Sequence, residues 1–174
     1  MRGAWCWMSG ASWIGSRHAR RAWWSNEERP KKVEQQVSGL RSLQELRVLR
    51  FTGYHDSFIG SPLPSVIVAL ADALSCLASL EVLDLHGVKL GPDGAAALAQ
   101  SLPSLTRLVS LDLADTRLGD GGVGSLARAL RRLAALQWLS IGDNGIGPTG
   151  AEELATCMAS LTALSTLDLR RNSI

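Results

Sequence analysis

Leucines return along this chain at a fixed interval. Leu80, Leu108, Leu136 and Leu164 are evenly spaced, and each opens the pattern L-x-x-L-x-[LI]: LEVLDL, LVSLDL, LQWLSI and LSTLDL. The last two apolar residues of each hexapeptide flank a polar one, the period of a half-buried strand. After each of the first three comes an apolar residue followed by glycine, Leu90-Gly91, Leu118-Gly119 and Ile146-Gly147, and the turns GPDG, GDGG and GPTG end at Gly94, Gly122 and Gly150. Apolar residues then fall at i, i+3, i+4 and i+7, one face of a helix. They are Ala95, Leu98, Ala99 and Leu102, then Val123, Leu126, Ala127 and Leu130, then Ala151, Leu154, Ala155 and Met158. Leu105, Leu133 and Leu161 close the units. The glycines let the chain reverse between strand and helix, and Pro92 and Pro148 suit a first helical position. A small alanine at the second inward position lets each helix lie close to its strand. One such unit cannot bury its apolar face alone, so the spacing predicts a stack with a parallel sheet on one side and a row of helices on the other.

A less regular unit precedes these. Leu46, Leu49 and Phe51 predict a strand, and Val66, Ile67, Leu70, Ala71 and Leu74 a helix. This unit is longer than the others, and the excess falls in the loop from Thr52 to Pro64, with Tyr54, His55 and Phe58. Val33 to Leu43 predicts a partial first helix.

These motifs resemble the leucine-rich repeat family, and within it the 28-residue class of ribonuclease inhibitor, of the repeat regions of innate-immune receptors and of Ran GTPase-activating proteins. The resemblance covers residues 37–174. It implies an α/β solenoid: a curved parallel sheet on the concave face, helices on the convex face, about four repeats and a final strand. The family places Asn on the loop that leaves each strand, where its side chain bonds neighbouring backbone. Here those positions hold Val88, Thr116, Asn144 and Asn172, so the ladder is expected to be incomplete on the N-terminal side. The sequence stops at LDLRRNSI, a strand with no helix after it, which leads us to expect an uncapped C-terminal end, as in a truncated product, a fragment or an array completed by another chain, with Leu167 and Leu169 under-covered.

Composition changes this picture at one end. Residues 1–32 hold seven Lys/Arg against two Glu, whereas residues 33–174 hold eleven against fourteen acids. The repeat body therefore lacks the concentrated positive charge that phosphate binding needs, and no nucleic-acid partner is expected. Five of the six tryptophans (Trp5, Trp7, Trp13, Trp23, Trp24) crowd the N-terminal segment beside Arg2, Arg17, Arg20 and Arg21. Residues 1–32 thus read as a disordered tail or targeting segment, with membrane contact the weaker reading, and residues 33–174 as the repeat domain. Cys6, Cys76 and Cys157 are scattered, with no metal-ligand spacing, and suggest a reducing, cytoplasmic compartment; organelle targeting by the N-terminal segment is the alternative.

In the solenoid the residues between strand leucines face the concave surface. The first column is Val48, Val82, Ser110, Trp138 and Thr166; the second Arg50, Asp84, Asp112, Ser140 and Asp168; the third Thr52, His86, Ala114, Gly142 and Arg170. Asp84 and Asp112 fall on adjacent strands about 5 Å apart, where like charges repel and a basic partner would relieve them. Asp there equally keeps a sheet soluble. Trp138 buries much area with few rotatable bonds, the character of a binding hot spot; packing along the sheet is the plainer role. His86 follows Asp84, but no Cys or activated Ser completes a nucleophilic set. No G-x-x-x-x-G-K-[ST] occurs either. The candidate protein-binding residues are Arg50, Asp84, His86, Asp112, Trp138, Ser140, Asp168 and Arg170. The chain is expected to be a non-enzymatic protein-interaction module, with no cofactor and no small-molecule substrate. Regulation of a small GTPase, or a place in a larger innate-immune-type receptor, are the alternatives that the resemblance implies.

Overall fold

The computed structural model describes residues 4–9, 12–14, 37, 39–52 and 64–174. The expected loop residues 53–63 and most of the N-terminal segment lie outside that set.

Each repeat folds as its pattern directs. Strands β3 (Leu46–Thr52), β4 (Val82–Asp84), β5 (Ser110–Asp112), β6 (Trp138–Ser140) and β7 (Thr166–Asp168) pair in parallel, in sequence order. Helices α1 (Pro64–Leu74), α2 (Gly91–Ser101), α3 (Gly119–Leu130) and α4 (Pro148–Met158) return the chain along one side and pack against their neighbours in that order. The strands are short because only the middle of each hexapeptide is in the ladder; Leu80, Leu108 and Leu136 sit just before it, fully buried. Pro92 and Pro148 occupy first-turn helical positions, as expected. Of the partial helix predicted at 33–43, the described residues Val37 and Gly39 are helical and Leu40–Ser42 form a 3-10 turn; residues 33–36 and 38 lie outside the described set.

Register turns the repeat into a core. Leu49, Leu83, Leu111, Leu139 and Leu167 align across the five strands, and the first four are fully buried. Leu85, Leu113 and Ile141 form a second buried row, and Leu98, Leu126 and Leu154 close on both from the helices. Burying each such side chain contributes about 1.5–3 kcal/mol. At the last strand the cover thins. Leu164, Leu167 and Leu169 are only partly buried and Ile174 is 60% exposed.

Three glycines set how closely the helices stack. A methyl group at Gly94 would lie 3.1 Å from Ile67, and one at Gly122 would lie 3.2 Å from Ala95, both on the preceding helix. At Gly150 it would press on Asp120 Oδ1 and lie 2.8 Å from Ile146 Cγ2. Asp120 has a task there: its Oδ1 accepts the Gly147 N–H at 2.7 Å, tying α3 to the start of α4. Gly150→Ala is therefore expected to destabilise by about 1–3 kcal/mol. Gly121→Ala, which meets only Pro92 Cβ at 4.0 Å, should instead stabilise by about 0.5–1 kcal/mol through helix propensity. Urea denaturation of the two variants checks both signs; equal midpoints would refute the packing argument.

The asparagine ladder runs where the sequence has asparagines. Asn144 Oδ1 accepts the Thr116 N–H (3.0 Å) and Leu118 N–H (3.2 Å), and its Nδ2 donates to Leu113 O and Gly142 O. Asn172 repeats this for Asn144 N–H, Ile146 N–H, Ile141 O and Leu169 O. Thr116 is too short to reach the repeat before it. Its hydroxyl donates to Leu113 O at 2.7 Å, and the Val88 and Leu90 N–H groups turn to Leu85 O and Val88 O of their own loop. The ladder is thus incomplete on the N-terminal side, as expected.

The N-terminal segment departs from the expected tail in one respect. Strand β1 (Ala4–Ser9) pairs in parallel with β3, and β2 (Ser12–Ile14) pairs antiparallel with β1, so these two short strands extend the sheet. The continuous apolar run Ala4–Met8, short and rich in tryptophan, is consistent with a strand, a reading that the arginine- and tryptophan-rich composition obscures.

Candidate protein-binding face

Among the described residues, the helices cover one face of the sheet and the other is free of them. The register places the expected columns on that open face: Val48, Val82, Ser110, Trp138 and Thr166 are cross-strand partners, and so are Arg50, Asp84, Asp112, Ser140 and Asp168. Trp138 is half-buried and Thr166 exposed. The Trp138 ring therefore keeps part of its surface in water on the fourth of the five parallel repeat strands.

The aspartates have a structural task that the spacing does not announce. Asp84 Oδ1 accepts the His86 N–H at 3.1 Å, Asp112 Oδ1 the Ala114 N–H at 3.0 Å, and Asp168 Oδ1 the Arg170 N–H at 3.0 Å. Each carboxylate thus turns the chain out of its strand by bonding the backbone two residues on. The solubility role considered for these residues gives way to this one at a single oxygen, and leaves the second oxygen to be accounted for.

At Asp168 the second oxygen meets Arg170 Nη2 at 2.7 Å. This pairing holds the Asp168 carboxyl down to about 2, so what it adds to stability is present above the ordinary carboxyl value and is lost as pH falls through about 2. At Asp84 the second oxygen lies 4.0 Å from Arg50 Nε. That is the outer limit of an ion pair, and Arg50 Nε, itself buried, makes no hydrogen bond among the described residues. At Asp112 no ion pair forms among the described residues. Burial raises the Asp112 carboxyl above its ordinary value, and the Asp84 charge raises it further, against the Ala114 N–H, His86 and the Ser140 hydroxyl, which favour the ionised form.

A raised folded-state value means that the folded chain holds this proton more tightly than the unfolded one. The Asp112 contribution is therefore greatest in acid and declines as pH rises from the ordinary carboxyl value through the raised one. Asp112→Asn keeps the acceptor for Ala114 and removes the charge, so the wild type should lose stability relative to this variant on going from about pH 3 to about pH 7. Denaturation curves at the two pH values give that difference, and a constant gap would sink the assignment.

Two open-face positions sit differently from expectation. Ser140, expected in an exposed column, is 3% exposed. Its short side chain lies between the longer Asp112 and Asp168 on the adjacent strands, which shade it. Gly142 is buried as well, with Arg170 O 3.0 Å from where its side chain would begin. His86 and Arg170 are exposed, and Arg50 and Asp84 stand side by side on β3 and β4. The sequence columns stop short of the turns that follow the strands. There Lys89 Nζ pairs with Asp115, and Arg171 lies 3.8 Å from Asp143. Asp115, Arg117, Asp143 and Arg171 all take positive φ in these turns, a conformation aligned with Gly87 and Gly145 in the neighbouring repeats that a repeat-by-repeat alignment could have flagged. Arg128, Arg131 and Arg132 are exposed on the helical side, away from the sheet.

Among the described residues there is no cluster able to hold a metal ion and no helix long and apolar enough to cross a membrane.

Residues 104–127 and 136–155 match the family model described as Leucine Rich repeat. No curated protein matches the sequence. Among solved structures, the chain is similar to one titled Leiomodin-1 Actin-Binding Site 2, with a TM-score of 0.63 and 19% identity over 79% of this chain and 77% of that one. It is also similar to the tropomodulin C-terminal domain of Caenorhabditis elegans, with a TM-score of 0.65 and 13% identity over 79% of this chain and 81% of that one. At these identities the likeness is one of fold. Repeat pattern, sheet register and family match agree: the chain is built of leucine-rich repeats, stacked as an α/β solenoid.

Proposed function

We propose that this chain is a protein-interaction module whose partner lies across the open, concave face of the sheet, and that its repeats are of the 28-residue, ribonuclease-inhibitor-like class. The observation that carries the binding reading is a pair of neighbours on β5 and β6: a half-exposed Trp138 and an Asp112 with no paired cation among the described residues. Aromatic residues with water-exposed area are where interfaces concentrate binding energy, and the fold presents them on a rigid sheet. The leiomodin-1 structure is titled as an actin-binding site, which supports a protein as the kind of ligand. The partner need not be actin, because the fold alone does not choose one. We read the module as non-enzymatic and cytoplasmic.

The test is affinity capture from the source lysate, comparing the wild type with the double variant Trp138→Ala, Asp112→Arg, both shown folded by circular dichroism. A protein retained by the wild type and lost by the variant supports the concave face. The same set on both defeats it. Co-sedimentation with purified filamentous actin runs alongside as a direct arm.

A further inference from the structure

We infer that Asp112 anchors one cationic side chain of the protein partner, an arginine whose guanidinium pairs with the carboxylate while its stem lies along Trp138. This rests on the concave-face reading above and adds the chemistry of recognition to it.

Other carboxylates on and around the open face have cations beside them. Glu81 has Arg47 at 3.1 Å, Asp84 has Arg50 at 4.0 Å, Asp115 has Lys89, Asp143 has Arg171 at 3.8 Å, and Asp168 has Arg170 at 2.7 Å. Asp112, on the central strand of the five, has none among the described residues. Its Oδ1 is engaged by Ala114 N–H, which leaves Oδ2 as the acceptor without a charged donor. A half-buried carboxylate beside a second carboxylate costs free energy that an opposite charge would recover.

The neighbours suit an incoming cation. Ser110 and Ala114 on the same strand face, and Ser140 on the next strand, are all small, so no long side chain of β5 or β6 overlies the carboxylate from these positions. Trp138 is the cross-strand partner of Ser110 and so the diagonal neighbour of Asp112, about 8 Å away by strand rise and spacing. That is the reach of an arginine lying along the sheet, with its guanidinium on the carboxylate and its methylenes or cationic plane on the indole. Asp84 adds a second negative charge to the same spot, and Arg50 stands on the far side of Asp84, two strands from Asp112.

The test needs no partner in hand. N-acetyl-arginine amide is titrated into the full chain while the Asp112 carboxyl carbon and the Trp138 indole N–H are followed by NMR. N-acetyl-citrulline amide, of the same shape but neutral, is the comparison. Saturable shifts at both groups are expected, at least about tenfold weaker for citrulline, absent in Asp112→Asn and unchanged in Arg128→Ala on the helical side. Equal response to the two probes, or shifts that persist in Asp112→Asn, would overturn the anchor. The citrulline comparison uses the wild type, so it decides even if a variant folds poorly. If the probes fail while Trp138→Ala, Asp112→Arg still loses its captured protein, the anchor is wrong and the concave face stands. If that capture is also unaffected, both fall.

Discussion

Replacing Asn144 with alanine is expected to lower the unfolding free energy by roughly 3–5 kcal/mol, the largest effect of any polar residue among those described. The size follows from what the side chain leaves behind. Asn144 is buried, and its Oδ1 accepts the Thr116 and Leu118 N–H groups; no other acceptor for them is present among the described residues. The two carbonyls it serves are better placed: Leu113 O keeps the Thr116 hydroxyl and Gly142 O keeps the Asp115 N–H. Two orphaned donors at about 1–3 kcal/mol each dominate the loss. Asn172→Ala removes the same pattern from a partly buried site, where water can replace it, and should cost less than half as much. Urea denaturation of both variants supplies the comparison, and a loss below about 1 kcal/mol for Asn144→Ala would show that the ladder does not bind the repeats together.

Leu111→Ala comes next, at about 2–5 kcal/mol. Leu111 is fully buried, with Leu83 and Leu139 on either side in register, and the stack cannot collapse into the void without shifting a strand. Leu167 holds the same repeat position on β7 but is only partly buried. Its truncation removes surface that is already wet, and Leu167→Ala should lose well under half of the Leu111→Ala value. Thermal or chemical melts read both. If the two variants lose equally, the end of the stack is covered as well as its middle and the thinning described above has no energetic meaning.

How legible was all this in the sequence? The spacing of Leu80, Leu108, Leu136 and Leu164 gave the strands, their order and the open-face columns, because apolar burial repeats with the chain and each repeat sees nearly the same surroundings. It even located the gap in the ladder, since Thr116 is a shorter side chain than Asn. What the spacing could not give were effects between unlike neighbours. Ser140 is buried because the residues beside it in the sheet are longer, a fact about three different repeats at once. Asp120 bonds Gly147 of the next repeat, where the other two repeats place a proline. The aspartates of the second column are half engaged by their own backbone, which needs a turn geometry that no periodicity encodes. Strands β1 and β2 were hidden by composition, since arginine and tryptophan read as a signal of address or interface before they read as strand.

The uniform offset of the repeats has a further consequence, in time and not in energy. From β3 onward every strand finds its partner one repeat away, and the asparagine bonds reach across the same interval. The entropy of closing a loop depends only weakly on its length, and here the length barely changes from one step to the next. Docking a repeat onto a formed neighbour is the same kinetic event at every position, and the two ends of the array never need to meet. Such a chain grows its structure as a zipper does, at a pace set by the closure of a single repeat and largely independent of how many repeats follow.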